Sequence, residues 1–210
     1  MMESGNGDLE LRNPRHDRVT PIRRSLRLPG YDYSQVGAYF VTIVTQGREC
    51  LFGDVVGAEM RANVLGEMVE TVWWDLPTRY PGIDIDWHIV MPNHFHGIVV
   101  LTHAQNIVGA PPRGCPLERV PDGGRARGPA PSMGLPDAIH RFKSLTTNRF
   151  LRGVADGKWA SSSGRLWQRG YYDHIIRDER DLHARRKYIE LNPARWEEDK
   201  DYTRRPCNCF

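Results

Sequence analysis

His94-Phe95-His96 sets two imidazoles two residues apart inside the run Trp87–Leu101, which is otherwise apolar and β-branched. In a strand the side chains alternate between faces, so His94 and His96 point the same way and Phe95 points the other. Two neutral imidazoles held side by side on a rigid strand make half of a divalent-metal site. A polar patch on a sheet surface has the same appearance. A second pair lies almost a hundred residues downstream, in Tyr188-Ile189-Glu190-Leu191-Asn192-Pro193. Tyr188 and Asn192 are four apart and share a face of a continuous helix. Asn192 offers an oxygen to a hard cation such as Mg²⁺ or Mn²⁺, and Tyr188 offers a nucleophilic oxygen. An ordinary half-buried tyrosine and an ordinary helix stop would look alike. The residue before a proline is also biased away from helical geometry, which swings Asn192 from the ideal position.

The elements that must position these groups follow from periodicity. Ala38–Thr45 is a β-branched, aromatic first strand. Val64, Leu65, Met68, Val69, Val72 and Leu76 recur at helical spacing, predicting a helix over about 62–76 that Pro77 closes. Ile83–Val90 and Asn93 or His94 to Leu101 are two strands with a tight turn at Met91-Pro92-Asn93. A second helix spans 136–151, with Ile139, Phe142 and Leu145 facing the core and Arg141, Lys143 and Arg149 projecting. Tyr171–Arg177 is a fourth strand, and Asp178 caps a last helix that Pro193 stops. The order strand, helix, strand, strand, helix, strand, helix is the ferredoxin-like βαββαβ pattern of the α+β class. It implies an antiparallel sheet with helices on one face, plus a C-terminal helix carrying the tyrosine.

The 210 residues, 40% hydrophobic and 10% aromatic, suffice for one core. Residues 1–30 read as a flexible basic arm, residues 31–196 as a single domain, and 197–210 as a tail. Within the domain, 104–136 holds seven prolines and many glycines and reads as a flexible insertion. No apolar run approaches the ~18 residues of a membrane span, and the polar start lacks a signal peptide's apolar stretch. Cys50, Cys115, Cys207 and Cys209 fit neither a disulfide framework nor a zinc pattern, so a reducing, cytoplasmic setting is expected. Net charge is only +3, but it is unevenly spread. Residues 45–90 carry three Arg against eight Asp/Glu, whereas 101–170 carry eleven Lys/Arg against four Asp/Glu. The later segment is basic enough to meet a polyanion.

Met91-Pro92-Asn93-His94-Phe95-His96 resembles the HUH motif, in which two histidines flank a hydrophobic residue. Trp167–His174 followed by Tyr188–Pro193 resembles the C-terminal signature of single-tyrosine HUH transposases, and the REP-associated tyrosine transposases in particular. Arg27–Tyr33 and Tyr39–Thr42 resemble the start of such proteins. The likeness covers roughly residues 25–196 without the insertion, which departs from compact members. It implies Tyr188 as nucleophile, His94 and His96 as metal ligands, and Asn192 at the position of a third ligand. It also implies cleavage and rejoining of single-stranded DNA, through a 5′-phosphotyrosine, on hairpin or palindromic repeats. Arg141, Lys143, Arg149 and Arg152 are expected at DNA phosphates, with Trp167 for base stacking. His174 reads as structural, and His88 carries no assigned role. A hairpin-binding protein without chemistry and a metal-dependent hydrolase remain as alternatives, as do monomer and homodimer.

Overall fold

The computed structural model describes residues 28–102, 133–159 and 164–202. The basic arm and the Pro/Gly-rich insertion lie almost wholly outside the described residues, as do Cys115, Cys207 and Cys209. Four strands form one antiparallel sheet: β1 (Gly37–Val44), β4 (Ile83–Met91), β5 (His94–Leu101) and β6 (Tyr172–Ile176), in the order β4-β5-β1-β6. With helices α1 (Val64–Trp74) and α3 (Leu135–Ala155) as the two crossovers, the chain has the expected α+β, ferredoxin-like arrangement.

The alternation of side chains divides the sheet into two unlike faces. Tyr39, Val41, Ile43, Phe95, Val99 and Leu101 point towards α1 and α3 and join Trp73, Phe142, Phe52 and Trp167 in the main core. Phe95 stands 4.7 Å from Trp73 and 5.0 Å from Phe142, ring centre to ring centre. Burying aromatic side chains of this size contributes about 1.5–3 kcal/mol each. The opposite face carries Phe40, Thr42, His94, His96 and Ile98. It is covered by α4 (Glu179–Leu191), through Ile189, and by the short 3₁₀ helix Pro193–Glu198, through Trp196. The C-terminal helix therefore lies across the sheet from the two crossover helices.

Local chemistry explains the boundaries. Asn63 caps α1 by accepting from the backbone N–H groups of Leu65 and Gly66, both at 3.0 Å. Pro77 does not close that helix. α1 ends at Trp74, and Pro77 sits in the first turn of a four-residue helix α2 (Leu76–Arg79), where a missing N–H costs no hydrogen bond. α3 runs one turn past its expected end. Gly153 there lets the Trp159 indole lie against the helix, and the indole N–H donates to the Phe150 carbonyl at 2.8 Å. A separate hairpin, β2 (Gly53–Val56) and β3 (Glu59–Ala62), has no clear sequence signal. Its turn residues Gly57 and Ala58 both have positive φ, 60° and 67°, as a two-residue hairpin of matching twist requires. Among the described residues, no helix is long and apolar enough to cross a membrane.

Candidate active site

β5 is hydrogen-bonded on both sides, to β1 and to β4, and this fixes the direction of both imidazoles. Each is buried and held at Nδ1. Asn93 spends its amide N–H groups on the carbonyls of Asp201 (2.7 Å) and Arg48 (3.3 Å). Its Oδ1 is left to accept from His94 Nδ1 at 2.9 Å. The Thr42 hydroxyl meets His96 Nδ1 at 2.9 Å. Both Nε2 atoms then face one another, 3.0 Å apart. Burial pushes the pKa of His94 down to about 4. Burial, with the neighbouring His94 next, holds His96 well below the ordinary value. Both rings are neutral near pH 7, the form that binds metal.

The helix side supplies oxygen. Asp178 starts α4 by accepting from the Asp181 N–H at 2.8 Å. At the other end Asn192 keeps helical angles, φ −59° and ψ −43°, and Pro193 begins the 3₁₀ helix instead of deflecting the chain. The swing expected for the residue before proline does not occur, because Pro193 occupies a first turn. Tyr188 and Asn192 thus stay on one face, towards the imidazoles. The Tyr188 ring stands edge-on to His96 (5.2 Å between centres) and to Phe40 (5.8 Å). Asn192 is buried, and its Oδ1 makes no well-formed hydrogen bond, although it stands near enough to His94 to favour that ring's proton. A buried carboxamide oxygen without a donor costs about 1–3 kcal/mol, and a cation between it and the two Nε2 atoms would remove that cost.

Asp199 is the residue that sequence reasoning missed. The domain was expected to end near 196, yet the chain folds back and brings Asp199 to the site, with Asp201 buried behind it. One Asp199 oxygen accepts from the Asn192 amide at 3.3 Å and the Tyr188 hydroxyl at 3.4 Å; the other accepts from the Asp201 N–H at 2.7 Å. An ion pair between Arg48 and Asp201, at 3.2 Å, ties the segment down. His94, His96 and Asp199 each present a ligand atom, all within 4.8 Å of one another. Two imidazole nitrogens with carboxylate and carboxamide oxygens suit a cation of the Mn²⁺ or Mg²⁺ kind. The only signal in the sequence was an acidic residue seven positions after Asn192, too general to single out. Burial first, then the Asp199 charge, push the Tyr188 phenol up to about 12.

The residues expected at DNA phosphates stand elsewhere. Arg141, Lys143, Arg149 and Arg152 lie on α3, across the sheet from the histidines. Lys143 is half-buried, its ammonium donating to the carbonyls of Gln168, Arg169 (3.3 Å) and Gly170 (3.2 Å). Arg149 pairs with Asp75 at 3.3 Å, and the Arg141 guanidinium lies over the Tyr80 ring. Arg152 is exposed. Trp167 corrects its expectation: it is 5% exposed, packed between Phe52 and Phe142, and its N–H goes to the Thr146 hydroxyl at 2.7 Å. No ring face is left for a base. His174 bonds Asp181 at 2.8 Å, and His88 bonds Glu70 at 3.3 Å.

Comparison with known proteins adds relatives to this geometry. No family model matches the chain. An uncharacterised protein of Haemophilus influenzae is 34% identical over 183 residues, covering 86% of this chain and 93% of that protein. A solved REP-associated tyrosine transposase bound to a REP hairpin superposes with a TM-score of 0.47 at 17% identity, covering 79% of this chain and 71% of that one.

Proposed function

The chain belongs to one family with the Haemophilus influenzae protein, and we propose that it cleaves and rejoins single-stranded DNA through a covalent link to Tyr188. The observation that carries this reading is the meeting of a tyrosine hydroxyl, two neutral imidazoles and an unsatisfied carboxamide oxygen on one sheet face. Binding alone needs no nucleophile, and hydrolysis needs no tyrosine. The resemblance of Met91–His96 and Tyr188–Pro193 to the motifs of single-tyrosine HUH transposases supports the same chemistry on hairpin or palindromic DNA.

His94, His96, Asn192 and Asp199 would hold a divalent cation, Mg²⁺ or Mn²⁺, which when bound supplies positive charge to the scissile phosphate. The chain's own groups do the rest. Asn93 and Thr42 hold the imidazoles in orientation from their Nδ1 sides. Phe40 and His96 support the Tyr188 ring edge-on, so its oxygen is presented at the site. Tyr188 Oη attacks phosphorus, the bond from phosphorus to the 3′ oxygen breaks, and a 5′-phosphotyrosine and a 3′-hydroxyl result. The phenol must lose its proton in this step and the departing 3′ oxygen must gain one. The Asp199 carboxylate that Tyr188 already hydrogen-bonds is in reach to take the first, and the released 3′ oxygen takes its proton from the protonated Asp199 or from solvent. Attack by another 3′-hydroxyl reverses the step and joins strands without ATP. Arg152 and its neighbours on α3 would meet DNA only where it wraps past the sheet.

The test is incubation with labelled hairpin DNA and Mn²⁺ or Mg²⁺, with denaturing electrophoresis of the products. The expected result is a protease-sensitive covalent adduct, absent with chelator and absent in Tyr188→Phe. Cleavage that survives Tyr188→Phe would replace this reading with a hydrolase; tight binding with no adduct would replace it with a DNA-binding module.

A further inference from the structure

Tyr172 begins the edge strand β6 and is 38% exposed. Its place relative to the histidines is fixed by register. Thr42 is directly opposite His96 on one side and directly opposite Tyr172 on the other. Directly opposed residues in antiparallel pairs point to the same face. The Thr42 hydroxyl bonds His96, so His96, Thr42 and Tyr172 form one row across three strands on the site face. Tyr172 stands two strand spacings, about 10 Å, from His96. α4 crosses this face from the far end of β6, where Asp181 bonds His174, to Ile189 on Phe40 and Ile98. Among the described residues, the row is closed by Tyr188 at the His96 end and left partly exposed at Tyr172.

Lys200 occupies the exposed end. Its ammonium lies 4.9 Å from the centre of the Tyr172 ring. The flanking residues hold its backbone: Asp199 turns into the site, Asp201 turns in to Arg48, and the Lys200 carbonyl accepts from Arg48 at 3.1 Å. The Lys200 side chain is left exposed, with its ammonium beside the Tyr172 ring. An exposed aromatic ring with a cation beside it, in the same cross-strand row as His96, has the composition of a single-strand nucleotide subsite.

We infer that Tyr172 and Lys200 form a nucleotide subsite beside the histidine pair, the ring stacking on a base and the ammonium taking a phosphate next to the scissile one. This rests on the DNA-cleaving reading and adds the direction in which the strand leaves the site, across β1 and β6. Stacking on a ring is indifferent to base identity, so the subsite would grip single strands without reading sequence.

The test uses the full chain carrying Tyr188→Phe, which removes turnover, and a short fluorescein-labelled oligothymidylate followed by anisotropy across a salt series. Tyr172→Ala and Tyr172→Thr, the latter a good strand former, are expected to weaken binding by about 10-fold, with Tyr172→Phe close to the parent. Lys200→Gln is expected to lower the salt slope by about 0.7, the loss of one phosphate contact to a single strand. Circular dichroism should be unchanged, and the thermal midpoint should fall only slightly, since Tyr172 starts an edge strand and Lys200 is exposed. Parent-like affinity in both Tyr172→Ala and Tyr172→Thr would overturn the subsite and leave the DNA reading standing. A parent that binds neither this oligonucleotide nor a hairpin would overturn the DNA reading, and the subsite with it.

Discussion

Asp199 links Tyr188 to the candidate cation site, since one of its oxygens takes hydrogen bonds from both Tyr188 and Asn192. Asp199→Asn keeps the size and removes the charge. Cation affinity is expected to fall roughly 10–100-fold, measured by calorimetric or EPR titration with Mn²⁺. The phenol should also titrate lower, since one of the causes holding it up near 12 is gone, and phenolate absorbance reads this directly. Unchanged Mn²⁺ affinity would remove Asp199 from the ligand set. At this scale the two histidines, the tyrosine and the asparagine were legible, because strand parity and helical spacing each bring a pair to one face. Asp199 was not. Its place depends on a return of the chain held by Arg48 and Asn93, residues more than a hundred positions away.

The elements were legible where a periodic apolar pattern met a cap or a proline, as in α4 between Asp178 and Pro193. They were less so where tertiary contact decides. The β2–β3 hairpin is a case: its strands show little alternation, and its turn is set by positive φ at Gly57 and Ala58. The basic residues of α3 misled for a related reason, since helical spacing shows which residues project but not which sheet face the helix covers. Gly97 shows how closely α1 and β5 approach. A Cβ there would lie 2.6 Å from Trp73 Cζ2 and 2.7 Å from Phe95 Cε1, both rings fully buried. Gly97→Ala is expected to cost about 1–3 kcal/mol by overpacking, read from urea unfolding. Because Gly97 faces away from the imidazoles, the folded variant should keep its Mn²⁺ affinity. Stability equal to the parent's would mean that α1 can retreat from the sheet.

For the whole molecule, the cost of the site appears as a dependence of stability on pH. His94 and His96 stay neutral in the folded protein and take up protons near pH 6.5 when it unfolds. Between about 6.5 and the lowered folded value, about 4 for His94, the unfolded chain binds more protons. Stability is therefore fully present above that window and is lost as pH falls through it. In chelator the thermal midpoint should drop between about pH 7 and about pH 5, and less steeply in the His94→Gln, His96→Gln double variant. Equal slopes would show that the imidazoles do not set the acid limit. The ferredoxin-like topology was legible from element order alone. The difference between the two faces was not, since it depends on which side α4 crosses. Pairing on both edges of β5 has one more consequence. The same alternation that aims the imidazoles also delivers Phe95 to Trp73 and Phe142, so moving a histidine one position along the strand would place an imidazole among the core rings and a phenyl at the site. Site and folding share a single reading frame here, and a lost imidazole cannot be restored from the neighbouring position.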